Sequence, residues 1–282
     1  MEKQMSLGNE TFRLLRDMIY EQSGIFFPES KKYLLENRLR RRLEERNCQT
    51  FEDYYYFLKY DPGREGEFLC LFDVVTTNET SFFRDPGQLM AFENGVLHTL
   101  VKEKETRGEK RLRFWSAGCS TGEEPYTLAI IIKERQEQLK NWTVEIMASD
   151  ISEGVLQSAK RAIYNQNAIR NTPPAILTRY FRNSGGNYAV KEEVKNLVRF
   201  YRLNLFDQAR VRAVRGMDVV FCRNVLIYFE DKAKKHVVSW FYDSLNPGGY
   251  LFLGHAESLY NISRAFKLVN FDGRPVYKKE AV

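Results

Sequence analysis

The sequence predicts an all-helical N-terminal domain followed by a larger α/β domain that carries a small inserted β subdomain. Three observations support this fold. Apolar residues recur at helical spacing from residue 9 to about residue 75. From residue 111 onward, short apolar runs suited to buried strands alternate with helical segments, which favours a mostly parallel sheet. Between about residues 168 and 200, Pro-Pro and Gly-Gly pairs interrupt this alternation, and they indicate the β subdomain.

The helical domain is expected to span residues 1–75 and to contain four helices. In the second helix Leu35, Leu39 and Leu43 recur every four residues and form a narrow buried stripe. A row of arginines runs parallel to this stripe. Thr50 and Asp53 have the spacing of a capping pair at the start of the third helix. The polar, helix-poor residues 76–86 form the linker to the α/β domain, which spans residues 87–282.

The first strand and helix of the α/β domain enclose a glycine-containing turn, Gly118–Gly122. The turn departs from the dinucleotide fingerprint and lacks the lysine of a phosphate-binding loop. Glu123 and Glu124 follow it, where a phosphate would require positive charge. The pattern therefore favours a positively charged ligand such as S-adenosylmethionine, although a tight turn without a ligand would also explain the glycines.

Polar residues follow the other predicted core strands. Asp150 closes the second strand, where α/β nucleotide-binding domains hold ribose hydroxyls. Asn204 follows the third strand, and Asn224 follows the buried run Met217–Cys222. Asp150 and Asn224 could instead be helix caps. Because parallel strands end at the same edge of the sheet, we expect these loops to converge on one crevice.

Composition restricts the possible functions. The three histidines and four cysteines are scattered, so neither a metal site nor a disulfide framework is expected. No apolar run approaches the roughly 20 residues of a membrane span, and the N-terminus has no signal-peptide core, so a cytoplasmic protein is expected. The net charge of +6 favours an acidic partner, whether nucleic acid, an anionic membrane face or an acidic protein.

Five motifs along the chain resemble those of the chemotaxis receptor methyltransferases, the CheR family, and the resemblance covers nearly the whole chain. These motifs are Thr77–Arg84, Trp115–Tyr126, Ala148–Asp150, Cys222–Phe229 and Gly254–Ser258. Membership would imply a class I S-adenosylmethionine-dependent methyltransferase (Rossmann-like) domain. It would also imply methylation of glutamate side chains on cytoplasmic chemoreceptor helices, with glutamate methyl ester and S-adenosylhomocysteine as products.

The resemblance also implies roles for particular residues. Arg84 and Tyr228 are expected to orient the methyl acceptor or the methionine end of the cofactor without taking a proton. The second helix is expected to dock on an acidic receptor bundle through Arg38, Arg41, Arg42 and Arg46. The implied cofactor site consists of Asn78, Thr80, Arg84, Glu124, Asp150, Asn204, Leu205, Asn224 and Val225.

Two other functions stay open at this point. A nucleic acid methyltransferase would suit the basic chain, but Arg223-Asn-Val-Leu stands where base methylation commonly uses a Pro-Pro loop. A non-catalytic module that binds S-adenosylmethionine is the second alternative. We expect a monomer with a receptor partner, no nucleic acid and no membrane insertion. The short turn Ser184–Asn187 favours an enzyme that needs no receptor C-terminal tether.

Overall fold

The computed structural model describes residues 6–281, and its N-terminal part is a four-helix domain. The predicted leucine stripe of the second helix is fully buried in the core of this domain. Thr50 and Asp53 form the predicted capping box, in which each side chain accepts from the other residue's backbone N–H. A short 3₁₀ turn precedes the second helix. The helices are α1 (Asn9–Ser23), α2 (Lys32–Glu45), α3 (Phe51–Tyr60) and α4 (Arg64–Val75).

The α/β domain is built on a seven-stranded sheet with the order β6-β2-β1-β7-β8-β10-β9. The first five strands in this order pair in parallel, and β10 pairs antiparallel with both β8 and β9. The chain moves outward from β1 to β2 and β6, then returns to β7, so the strand order reverses between β1 and β7. The strands of this sheet are β1 (Arg111–Ala117), β2 (Thr143–Asp150), β6 (Val198–Arg202), β7 (Met217–Cys222), β8 (Leu245–Leu253), β9 (Phe266–Phe271) and β10 (Arg274–Lys279).

A separate three-stranded antiparallel sheet forms the β subdomain, in the order β3-β5-β4. The predicted Gly-Gly turn joins β4 to β5. The strands of this small sheet are β3 (Ile163–Tyr164), β4 (Phe181–Ser184) and β5 (Asn187–Val190). The remaining helices are α5 (Pro86–Met90), α6 (His98–Thr106), α7 (Glu123–Glu134), α8 (Glu153–Arg161), α9 (Pro174–Tyr180), α10 (Glu192–Lys195), α11 (Gln208–Arg212) and α12 (Asp231–Ser244).

Both faces of the large sheet are buried, which explains the continuous apolar runs of its central strands. On one face Phe221 stacks on Phe252, and Phe92 meets Phe221 edge to face with ring centroids 5.1 Å apart. On the other face Trp115 packs against Phe241 of α12 at 5.3 Å. Successive residues of a strand point to opposite faces, so each central strand contributes to both cores.

Two local patterns mislead, and a third is confirmed. Helical spacing predicts Ala162 and Ile163 on the sheet-facing side of α8, but Ala162 has φ = 54°, which ends α8, and the exposed Ile163 begins β3. The β-branched Val194 favours a strand, but it lies in α10. The sequence also predicts a helix over residues 87–105, and the chain is helical without a break from Pro86 to Thr106, with a π-helical turn at Ala91–Leu97. None of the helices within residues 6–281 has the length and apolar character that a membrane span requires.

Candidate functional site

A cavity of about 270 Å³ opens at the carboxyl ends of β1, β2, β6 and β7, beside the point where the strand order reverses. This is the place where open α/β sheets bind ligands. The helical domain and the linker complete its wall. The residues that sequence analysis proposed for the cofactor and for the methyl acceptor all line this cavity: Asn78, Thr80, Arg84, Glu124, Asp150, Asn204, Leu205, Asn224, Val225 and Tyr228.

The glycine turn brings its backbone close to the loop after β7. Gly118 has φ = 78°, and a Cβ placed there would lie 2.5 Å from a methyl carbon of Val225. Glycine is therefore required both for the conformation and for the contact.

The two glutamates that follow the glycine turn differ in position. Glu124 lines the cavity, whereas Glu123 is buried and accepts a hydrogen bond from the Thr121 hydroxyl; its pKa is raised by burial.

Glu124 already has a cationic partner. Its carboxylate lies 3.2 Å from a guanidinium nitrogen of Arg223 and accepts a 2.7 Å hydrogen bond from the Ser116 hydroxyl. The carboxylate that could pair with the methionyl ammonium of the cofactor is thus half of an ion pair within the protein. The carboxylate keeps unused lone pairs, so an ammonium could still share it.

Asp150 is held rigidly at the end of β2. One oxygen accepts from the Ser120 N–H at 2.9 Å and the other accepts from the Ser152 N–H at 3.0 Å. Burial raises the pKa of Asp150, and the nearby carboxylate of Asp73 acts in the same direction. Each carboxylate oxygen retains a second lone pair, so the side chain can accept two adjacent ribose hydroxyls. These contacts suit the ribose role that the sequence indicated.

The linker is anchored to both domains. Phe82 is fully buried and packs edge to face on Tyr164 and Phe181 of the β subdomain region. The Ser120 hydroxyl donates to the carbonyl of Asn78 at 3.2 Å. Arg84 donates to the carbonyl of Glu79 at 2.8 Å, which folds the linker back on itself. Because of these contacts, Asn78, Thr80 and Arg84 all face the cavity.

The helical domain contributes residues that sequence analysis did not assign to the site. Ser23 and Ile25, at the end of α1, line the cavity. Ile25 forms an antiparallel bridge with Phe229, and the Phe26 N–H donates to the Tyr228 carbonyl at 3.0 Å. The strand-like contact therefore fixes the backbone of the segment that carries Tyr228. No motif predicted this contact, since a single bridge leaves no periodic pattern.

Asn204 is also tied to the helical domain. Its side-chain nitrogen donates to the Gln22 carbonyl at 2.7 Å, and its oxygen accepts from the Phe206 N–H at 2.9 Å. Sequence analysis expected this side chain at the adenine edge, together with the backbone of Leu205. Both residues line the cavity, but the Asn204 amide is engaged with protein groups on both of its ends.

We expect Gly24→Ala to loosen the junction between the two domains. Gly24 has φ = 73°, and an added Cβ would lie 2.8 Å from ring carbons of both Phe206 and Phe229. Left-handed backbone costs alanine about 1–2 kcal/mol and overpacking adds about 1–3 kcal/mol, so the free energy of unfolding should fall by at least about 2 kcal/mol. Urea denaturation measures this change. Gly66→Ala is the matched control, because a Cβ there meets no atom within 4 Å.

The four arginines predicted to dock a receptor have different surroundings. Arg41 is 81% exposed at its side chain and, among the described residues, pairs with Glu45 alone. Arg38 donates to the carbonyl of Val75 and to the Thr77 hydroxyl, so it fastens α2 to the linker. Arg46 is exposed and forms an ion pair with Glu67.

For Arg42 the structure corrects the prediction. Its side chain is only 9% exposed and forms two hydrogen bonds with Glu67, which is completely buried on α4. A guanidinium in this position stabilises the helical domain and offers no charge to a receptor. Arg42 belongs to the row of arginines on α2, but its side chain is turned towards α4, where Glu67 binds it.

Arg223 also lines the cavity. It belongs to the motif Cys222–Phe229, but the sequence indicated no role for it. One guanidinium nitrogen pairs with Glu124, and another donates to the Arg84 carbonyl at 2.8 Å. Its Nε is buried and has no hydrogen-bond partner among the described residues. Arg223 thus connects the β7 loop, the α7 carboxylate and the linker. An arginine directly after a buried strand was the available signal.

Family models and individual relatives both match nearly the whole length of the chain. Residues 10–76 match the model of the CheR methyltransferase all-alpha domain, and residues 78–274 match that of the CheR methyltransferase SAM-binding domain. Chemotaxis protein methyltransferase 2 of Vibrio cholerae is 39% identical over 95% of this chain and 92% of its own length. Chemotaxis protein methyltransferase 1 of Pseudomonas aeruginosa is 36% identical over 97% of this chain and 99% of its own. The chain therefore belongs to the CheR family of S-adenosylmethionine-dependent chemotaxis methyltransferases.

Proposed function

We propose that this enzyme transfers the methyl group of S-adenosylmethionine to glutamate side chains on the cytoplasmic helical bundle of a chemoreceptor. The observation that carries the proposal is the composition of the cavity wall. The α/β domain supplies carboxylates and polar strand-end groups suited to the cofactor, and the helical domain closes the same cavity. A receptor helix resting on the helical domain would therefore lie beside the transferred methyl group.

The chemistry requires little from the protein besides position. A glutamate carboxylate is already ionised near neutral pH, so no general base is needed. Methyl transfer from a sulfonium donor to an anionic carboxylate would give two neutral products, a thioether and an ester, so both charges would decrease as the transition state is approached. Positioning of the two reactants can supply roughly 7–11 kcal/mol in well-oriented systems. A very tight clamp on the acceptor carboxylate would oppose this loss of charge.

S-adenosylmethionine is the methyl donor, and we assign its binding to particular groups of this chain. Asp150 would accept the ribose hydroxyls, Leu205 and Asn204 would border the adenine, and Glu124 would face the methionyl ammonium. Asn78, Thr80, Asn224 and Val225 complete the cofactor wall. Arg84 and Tyr228 orient the reacting end. The cofactor supplies an electrophilic methyl group, and the described residues exclude water and hold the donor in one orientation.

Methyl transfer to receptor can be followed with radiolabelled S-adenosylmethionine, offered with chemoreceptor cytoplasmic fragments and, separately, with RNA. We expect label on the receptor that mild alkali releases as methanol, which is diagnostic of a methyl ester. Alkali-stable label on RNA would instead support a nucleic acid methyltransferase. Transfer to neither substrate, with the cofactor bound, would leave only a binding module and would contradict the proposal.

Arg84→Ala should lower kcat by about 10–100-fold, because a hydrogen bond to a charged group contributes about 1.5–3 kcal/mol. Tyr228→Phe should lower kcat by about tenfold, since it removes one hydroxyl and keeps the ring. Both variants should keep the wild-type pH dependence, because neither residue transfers a proton. Steady-state kinetics from pH 6 to 9 test this, with Tyr242→Phe on α12 as the control. Unchanged turnover in both variants would remove the assigned roles.

Receptor docking is proposed to use the exposed face of α2 around Arg41. Arg41→Glu should raise KM for receptor fragments several-fold and leave kcat unchanged, and the effect should shrink at high salt. Arg107→Glu, at the exposed end of α6, is the control for a general change in charge. An Arg41→Glu enzyme with the KM of the control would exclude this docking surface.

Within the proposal the enzyme acts as a monomer in the cytoplasm. Because its β4–β5 turn has only two residues, it is also proposed to act without a receptor tether.

A further inference from the structure

The carboxylate of Glu257, in the loop after β8, accepts hydrogen bonds from three backbone N–H groups. Oε2 accepts from Gly254 at 2.6 Å and from Asn224 at 2.8 Å, and Oε1 accepts from Ile227 at 3.2 Å. Two of these donors belong to the loop after β7, which is neighbouring in the sheet but 30 or more residues distant in sequence. The side chain therefore joins the ends of two adjacent strands.

The loop held by Glu257 contains a residue in a left-handed conformation. Asn224 has φ = 60°, in the left-handed region, and Asn224 and Val225 both line the cofactor cavity. Tyr228 follows Ile227 directly. Gly254 leaves no room for a side chain, because a Cβ there would lie 2.7 Å from Glu257 Oε2 and 2.8 Å from the Asn224 nitrogen. Gly254, the Glu257 carboxylate and the Asn224 backbone are thus in close contact.

We propose that Glu257 is a positioning residue that sets the geometry of the Asn224–Tyr228 loop and thereby places Asn224, Val225 and Tyr228 around the reacting end of the cofactor. The inference rests on the proposed function for the role of Tyr228. The proposed contacts of Asn224 and Val225 with the cofactor do not depend on receptor methylation. They are tested by S-adenosylhomocysteine binding alone.

The number and type of donors explain why a carboxylate is needed. Hydrogen bonds from N–H groups to an ionised acceptor are shorter and stronger than those to a neutral one. A glutamine amide would offer a single acceptor oxygen and would direct its NH₂ group at one of the three N–H donors. At least one backbone N–H would then lose its partner, and the left-handed turn at Asn224 would relax.

The first test compares Glu257→Gln with Glu145→Gln, a matched control whose carboxylate pairs with Arg111 and Arg113 at the opposite end of the sheet. S-adenosylhomocysteine binding is measured by calorimetry, and kcat and KM are measured with receptor fragments. Glu257→Gln should weaken binding at least tenfold and lower kcat at least tenfold, with KM for the receptor unchanged. A purely structural role would lower the melting temperature while the folded enzyme kept the binding and kcat of the control, and this result would overturn the proposal.

The second test begins with the wild-type enzyme, so its first result does not depend on whether a variant folds. In wild-type enzyme without cofactor, the backbone amides of Asn224 and Ile227 should be protected from hydrogen exchange by about 100-fold or more relative to an unstructured loop. Exchange at the unstructured rate would show that Glu257 does not hold the loop. Glu257→Asp, which keeps the charge but shortens its reach, should give intermediate binding and intermediate protection. If receptor methylation fails while S-adenosylhomocysteine binding responds to Glu257→Gln as expected, the proposed substrate is wrong and the positioning role stands.

Discussion

Asp150→Ala should weaken S-adenosylhomocysteine binding at least about 100-fold. A carboxylate that accepts two ribose hydroxyls makes two charged hydrogen bonds, each contributing about 1.5–3 kcal/mol, and every 1.4 kcal/mol corresponds to a factor of ten in affinity. The substitution also leaves the N–H groups of Ser120 and Ser152 without their acceptor. Loss of those bonds would disturb the glycine turn on which the cofactor is expected to rest.

Calorimetric titration measures the effect, and Asp243→Ala on the exposed face of α12 is the control for removal of a carboxylate. The raised pKa of Asp150 adds a second signature. Only the ionised carboxylate accepts both hydroxyls, so wild-type affinity should fall as pH decreases, beginning above the range of an ordinary aspartate. Near-wild-type affinity in Asp150→Ala would place the ribose elsewhere.

Arg42→Ala should destabilise the helical domain by about 3–5 kcal/mol, because it leaves the completely buried carboxylate of Glu67 without its main partner. Tyr54 donates to the same carboxylate at 2.7 Å, and Arg46 contacts it from an exposed position, so these two residues compensate in part. Urea denaturation gives the free energy of unfolding. Arg41→Ala, one position earlier on the exposed face, should change it by less than about 1 kcal/mol. Equal effects of the two substitutions would contradict the burial argument.

The same network predicts a dependence of stability on acid pH. Burial alone would raise the pKa of Glu67, but the hydrogen bonds from Arg42, Tyr54 and Arg46 outweigh it and hold the pKa below its ordinary value of 4.5. A depressed carboxylate pKa contributes stability above the unfolded-state value and loses it as pH falls through the folded-state value. Wild-type stability should therefore decrease below about pH 4.5. A Glu67→Gln variant should have a lower free energy of unfolding than wild type at neutral pH. Its free energy of unfolding should fall less than that of wild type as the pH decreases below about 4.5.

Much of the fold could be predicted because its signals are local. The leucine stripe of α2, the Thr50–Asp53 capping box and the apolar run of β7 each depend on neighbouring residues only, and all three are present. The convergence of Gly118, Asp150, Asn204 and Asn224 followed from parallel topology. Their assembly around one cavity needed no knowledge of side-chain contacts, since strand ends at one edge of a sheet must meet.

The features that could not be predicted depend on contacts between segments that are distant in the sequence. The inward position of Arg42 is set by Glu67, which lies on another helix 25 residues away. The pairing of Glu124 with Arg223, which neutralises the expected free carboxylate, joins residues 99 apart in sequence. The contribution of Ser23 and Ile25 to the cavity arises from a few contacts between the end of α1 and the loops of the α/β domain. Neither periodicity nor spacing records such pairings, so these contacts could not be assigned from the sequence.

The position of S-adenosylhomocysteine in a crystal structure of its complex with this enzyme tests the central claim most directly. We predict the ribose hydroxyls within hydrogen-bond distance of the Asp150 carboxylate, the adenine beside Leu205, and the sulfur facing Arg84 and Tyr228 at the side closed by the helical domain. A ligand bound outside this cavity, or one bound with its sulfur turned away from Tyr228, would contradict the account.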